Sequence, residues 1–220
     1  MATMVEATTR GQTAAPEAPT PWYRDKARLV GGAALAVLLL GGLGWVIWSS
    51  DQRKEQFAAR SLNQARATAE AGNLPLASSE LQRLIETYRG TDAATEAVIT
   101  LNQVRMVNGQ SELAAVGLQE FLDRRPPRKY LAPAYGLLGT ALENSKRPTE
   151  AAAAFVRASE SADMDYLKAR YLIDAGRAYR SARKTEEAAA VYRKVIEKHP
   201  ESSSVTEAKV RLAELTGGKL

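Results

Sequence analysis

Apolar and small residues recur in this chain at one fixed interval. Ala77, Ala114, Ala151 and Ala188 stand 37 residues apart at every step. A large apolar side chain follows each by four residues, at Leu81, Leu118, Phe155 and Tyr192. A polar, turn-forming stretch precedes each: GNLPL, GQSEL, KRPTE and RKTEE. Spacings of three and four are helical. A fixed period of this size predicts stacked helix pairs, because one pair cannot bury its apolar face alone.

The frame is clearest when each alanine is numbered as position 20. The third repeat then carries Tyr135, Leu138, Gly139 and Leu142 at positions 4, 7, 8 and 11, and Phe155 and Ala158 at 24 and 27. The fourth carries Leu172, Ala175, Gly176 and Tyr179, then Tyr192, Val195 and Pro200. The second carries Val98, Leu101, Asn102 and Arg105, then Leu118, Phe121 and Pro126. The first has Ser61, Gln64, Ala65 and Thr68, then Leu81 and Leu84, and departs furthest. Small residues at 8 and 20 let the two helices of a pair approach, and large ones at 4, 24 and 27 fill the gaps between pairs. Val205, Ala208, Leu212 and Leu215 have helical spacing and predict a terminal capping helix. Helices are expected to close before Pro126 and Pro200, because the residue before a proline avoids helical geometry.

This frame, over residues 55–216, resembles the tetratricopeptide repeat. The resemblance implies an all-α, tetratricopeptide-like α-solenoid of four helix pairs plus a capping helix, occupying residues 51–216. The period exceeds the family's usual length of about 34 by three residues. The linkers after Pro126 and Pro200 are where the excess is expected.

Residues 29–48 (LVGGAALAVLLLGGLGWVIW) break the pattern. They are 20 uncharged residues, enough to cross about 30 Å of hydrocarbon. Trp22 and Tyr23 precede them, and Trp45 and Trp48 close them, as interfacial belts do. Ile47 and Trp48 stand where a signal peptidase requires small side chains, so the reading is an uncleaved N-terminal transmembrane helix. Residues 1–28, rich in Ala, Thr and Pro, read as a disordered tail. Arg24, Lys26 and Arg28 before the span outnumber Arg53 and Lys54 after it, which places the tail inside and the repeats outside. The opposite orientation makes the protein a cytoplasm-facing membrane adaptor that recruits soluble partners.

Charge and composition narrow the functions. The chain has 30 Lys and Arg against 25 Asp and Glu, a net +5 that is well mixed along the sequence. Nucleic-acid binding calls for a concentrated basic face with stacking aromatics, and the three tryptophans sit at the apolar segment instead. No cysteine is present, so thiol chemistry and disulfides are excluded. No metal-ligand cluster, phosphate loop or paired nucleophile and base is visible, so neither enzyme activity nor a cofactor or metal site is expected. His199 precedes Pro200 at a helix end, where it suits the helix dipole better than catalysis.

The segment GGLGWVIWSSDQRKEQFAARSLNQA joins a Gly-rich anchor, a tryptophan edge and an amphipathic helix. In this it is similar to a bacterial family, the ancillary tetratricopeptide subunit of the Sec translocon. That resemblance implies a single-pass inner-membrane protein with its repeats in the periplasm. It also implies a scaffold that contacts the translocon and a membrane-anchored periplasmic chaperone. By the same analogy, partners dock on the concave face at frame positions 2, 5, 9, 12 and 13. The candidates are Leu62 and Arg66, Ile99, Gln103 and Met106, Glu143 and Asn144, and Arg170, Ile173, Arg177 and Arg180. The carboxylate clamp of chaperone-tail binders, with Lys and Asn at positions 5 and 9, is absent, since Ile173 and Arg177 stand there. The three arginines of repeat four suit a carboxylate or acidic segment, or else form a solvated face paired with Asp174 and Glu186.

Overall fold

The structure, a computed structural model, describes the backbone of residues 22–218; before residue 49, side chains are described at 30, 31, 33, 38, 40 and 45 only. The expected tail therefore lies largely outside the described residues, as do most side chains of the expected span. Among the described residues no helix is long and apolar enough to cross a membrane. The chain divides into two units, residues 1–49 and 50–220. The first helix, α1, is Trp22–Glu70, so residues 22–28, read above as tail, are helical.

Residues 50–220 are all helix and loop among those described. After α1 come α2 (Leu74–Thr87), α3 (Asp92–Val107), α4 (Ser111–Asp123), α5 (Leu131–Asn144), α6 (Pro148–Ser161), α7 (Asp165–Ser181), α8 (Thr185–Lys198) and α9 (Ser204–Thr216). The helices after the turn, α2, α4, α6 and α8, begin 37 residues apart. Their partners α3, α5 and α7 begin at irregular intervals. The three extra residues appear as a 3₁₀ turn, Arg128–Tyr130, before α5, and as a longer helix in α7. They do not follow one rule, because only the turn inside each hairpin is fixed.

That turn is built the same way four times. Position 15 has a positive φ in each repeat: Gly72 (+85°), Gly109 (+75°), Lys146 (+58°) and Arg183 (+60°). The next residue's N–H donates back to position 11: Asn73 to Thr68 O (3.1 Å), Gln110 to Arg105 O (2.8 Å), Arg147 to Leu142 O (2.9 Å), Lys184 to Tyr179 O (2.9 Å). This is the left-handed helix cap in which glycine avoids a Cβ penalty. Lys146 and Arg183 bear that penalty. Arg183→Gly, measured by thermal unfolding, is expected to raise stability by about 1 kcal/mol. The same change outside such a turn lowers it.

The core is a row of three clusters. One joins α1, α2 and α3 around Leu62, Leu81 and Leu101. The second joins α3 to α7 around Leu118, Leu138 and Phe155. The third joins α7, α8 and α9 around Leu172, Tyr192 and Val195. Each hairpin meets only its neighbours, as stacked repeats do. Position 8 sets the approach inside a hairpin. A Cβ on Gly176 would press into the Tyr192 ring, 2.5 Å from its Cζ, and one on Gly139 would sit 2.7 Å from the Phe155 ring. Repeats one and two instead pair Ala65 with Leu81 and Asn102 with Leu118, a larger residue against a smaller one, and all four are buried.

The weak first repeat has a physical reason. Its position 4, Ser61, would fill a gap against a preceding hairpin, and Gln64 stands one turn further on. Among the described residues they line an open cavity of about 530 Å³ with Glu80 and Arg83. The end of an array needs such a polar face.

Candidate partner-binding surface

The first helices of successive pairs are tied side by side by ion pairs about one period apart. Arg66 on α1 meets Glu96 on α3 at 2.6 Å and donates to Thr100 Oγ1 at 3.3 Å. Arg177 on α7 meets Glu143 on α5 at 3.2 Å, and Arg180 meets Glu214 on α9 at 2.9 Å. Glu143–Arg177 and Arg180–Glu214 join position 12 of one repeat to position 9 one period on, and Arg66–Glu96 joins position 9 to position 2. The candidate polar residues are thus brought together in two groups, one on α1 and α3 and one on α5, α7 and α9. Exposed pairs of this kind contribute about 0–1 kcal/mol each, so they fix register more than stability.

Position 5 behaves differently. Leu62, Ile99 and Ile173 are all buried, the most exposed of them at 8%. They lie under the face and present it with no side chain. Met106 is half-buried against the central core. Gln103 and Asn144 are exposed.

The basic strip of repeat four is occupied from within. Arg177 lies 3.1 Å from Asp174, and Arg170 lies 3.7 Å from it. With Arg180 on Glu214, all three arginines have an acid of this chain. Asp174 is the expected partner, whereas Glu186 makes no such contact and Glu143 and Glu214 take its place. Burial of Asp174 lifts its carboxyl above the usual range, against the pull of Arg177 and Arg170. A raised carboxyl stabilises the fold when protonated, so that contribution is complete below the ordinary aspartate value of 3.8 and is lost as pH rises through the raised one. Parent and Asp174→Asn melting temperatures, compared across the acid range, are expected to differ by an amount that grows in favour of the variant as pH rises. Asp92 and Glu150 titrate the opposite way, since the hydrogen bonds from Lys129 and Arg147 hold them low, but they are common to both proteins.

What is left open is a groove of about 340 Å³ between α1 and α3. Arg66, Glu70, Thr100 and Gln103 edge it, and Ala69, Leu74, Val104 and Val107 supply apolar surface. Val107 is 75% exposed. Sequence reasoning missed Val107 and Glu96, although they occupy positions 13 and 2 of the same frame. Between repeats three and four the Tyr171 ring lies against Gly136.

His199 stands at a helix end, as its place in the sequence indicates. It caps α8, is almost wholly buried, and its Nδ1 lies 3.7 Å from Asp165. Among the described residues no group of three or more His, Asp or Glu side chains is placed to hold a metal ion.

Comparison with known proteins agrees with this architecture. The tetratricopeptide repeat family matches residues 137–203 and 173–217. Among solved structures, the chain is similar to the MamA protein, with a TM-score of 0.57 and 19% identity over 73% of this chain and 81% of that one. It is also similar to nearly identical TPR-like repeats of a putative kinesin light chain from Podosopora anserina, with a TM-score of 0.58 and 15% identity over 73% of this chain and 87% of that one. A single-substitution variant of those repeats matches equally. No curated protein matches the sequence. The fold is a tetratricopeptide-like solenoid, and the repeats that match the family are the third, the fourth and the capping helix.

Proposed function

We propose that this protein is a membrane-anchored scaffold that binds other proteins in the concave groove of repeats one and two. It assists protein translocation or chaperone action at the periplasmic face of the bacterial inner membrane. The tetratricopeptide fold is an interaction scaffold, and no catalytic family is indicated. The groove beside Val107 carries the reading. Apolar surface stays exposed there, while the arginines of repeat four are taken up by Asp174, Glu143 and Glu214. A groove with this apolar surface suits a segment that carries apolar side chains.

The anchor rests on residues 29–48. Of their side chains, Val30, Leu38, Leu40 and Trp45 are at least 65% exposed, which suits hydrocarbon surroundings and not water. The translocon and a membrane-anchored chaperone are the partner classes to which the family resemblance leads. Protease added to spheroplasts tests anchor and facing together. Residues 51–220 are expected to be digested with the N-terminal tail spared, and the protein to stay in the membrane after alkaline carbonate extraction. Digestion only after the inner membrane is lysed favours the cytoplasm-facing adaptor.

A further inference from the structure

A second groove, sharing no residue with the concave one, lies where α2, α3, α4 and the loop after α4 meet. It measures about 310 Å³. Ile85, Val98, Phe121, Pro126 and Pro127 form an apolar floor, and Arg89, Arg124 and Arg125 stand around it. None of these three arginines has an ion-pair partner among the described residues. That contrasts with the concave face, where each arginine of repeat four and Arg66 are neutralised by an acid of this chain. The loop is also committed to this arrangement. Arg125 adopts φ +52°, the left-handed region that disfavours a residue with a Cβ, immediately before Pro126. Its neighbours Arg128 and Lys129 are already engaged, with Asp163 at 3.0 Å and Asp92 at 2.6 Å.

We propose that this groove binds an acidic peptide segment of another protein, with one apolar side chain on the floor and carboxylates on Arg89, Arg124 and Arg125. Guanidinium groups match carboxylates in bidentate geometry. An apolar floor inside a basic rim asks for both features in one short segment. At about 310 Å³ the groove has room for one large side chain. A phospholipid headgroup, polar throughout, leaves the floor uncovered.

The test uses the full chain in detergent and a fluorescein-labelled peptide, Glu-Asp-Glu-Phe-Glu-Asp-Glu, read by anisotropy. The parent is expected to bind it, less tightly as salt is raised. Arg89→Glu with Arg124→Glu is expected to weaken binding by at least about tenfold. The paired Arg→Gln changes are expected to fall between, and Lys194→Glu, an exposed charge reversal on α8 outside both grooves, to bind as the parent does. Both arginines are exposed, so unchanged melting temperatures show that folding is intact. Equal binding by the parent and the reversed-charge variant overturns the proposal. So does equal affinity for the same peptide with Ser in place of Phe, which indicates charge attraction alone. Arginine-dependent binding to phosphatidylglycerol vesicles without peptide binding also overturns it, in favour of a membrane contact.

Discussion

Gly176→Ala is expected to lower the stability of the repeat domain by about 1–3 kcal/mol, the usual range for overpacking a filled core. The added methyl runs into the Tyr192 ring, with Cζ at 2.5 Å, and Tyr192 is fully buried with no free side to move toward. At about 2–4 °C per kcal/mol for a domain of this size, the melting temperature falls measurably. The first repeat shows how the clash is relieved, since it carries Ala65 opposite Leu81 at the same positions. Tyr192→Leu alone opens a void and is costly in its own right. Combined with Gly176→Ala, it is expected to cost less than the two single changes added, by at least about 0.5 kcal/mol. Strict additivity in that cycle means that positions 8 and 24 do not meet as described.

The second large effect is at Ala151. It is fully buried between α5 and α6, whereas Ala153, two residues on, is exposed. Ala151→Leu is expected to cost about 1–3 kcal/mol because a hairpin that close-packed cannot admit three more carbons. Ala153→Leu is expected to change stability by no more than about 0.5 kcal/mol. Coupling between neighbouring repeats spreads the damage from Ala151 into repeats two and four, visible as faster amide exchange in α4 and α7. Equal melting temperatures for the two variants refute the frame.

These residues also show how far the sequence carries. The alanine interval was legible because the turn inside each hairpin is built on position 15, and a fixed turn keeps the following helix in phase. Helix starts after the connecting loops were not legible, since a 3₁₀ turn at Arg128–Tyr130 and a lengthened α7 absorb the same excess in different ways. The first repeat looked degenerate because, among the described residues, Ser61 and Gln64 line an open cavity and pack against no other hairpin. The concave face was only partly legible. Periodicity gives the direction of a side chain along a helix, but not the depth of the neighbouring helix, so Leu62, Ile99 and Ile173 proved buried. Nor does it give pairing across repeats. The sequence leaves Arg177 and Arg180 between an open cationic strip and a face paired with Asp174 and Glu186, and it does not show that α5 and α9 bring Glu143 and Glu214 against them. For the same reason Arg89, Arg124 and Arg125, scattered over two loops, gave no signal as a group.

Site-specific photo-crosslinking in intact cells tests the central claim most directly. A photoreactive residue replaces Val107 or Gln103 in the open groove, and in parallel Arg170 or Arg177 in the self-paired strip. Captured proteins are identified by mass spectrometry. The account predicts strong adducts with a translocon or periplasmic chaperone subunit from positions 107 and 103, and weak or none from 170 and 177. The same partner captured mainly from 170 and 177, with 107 and 103 silent, would contradict it.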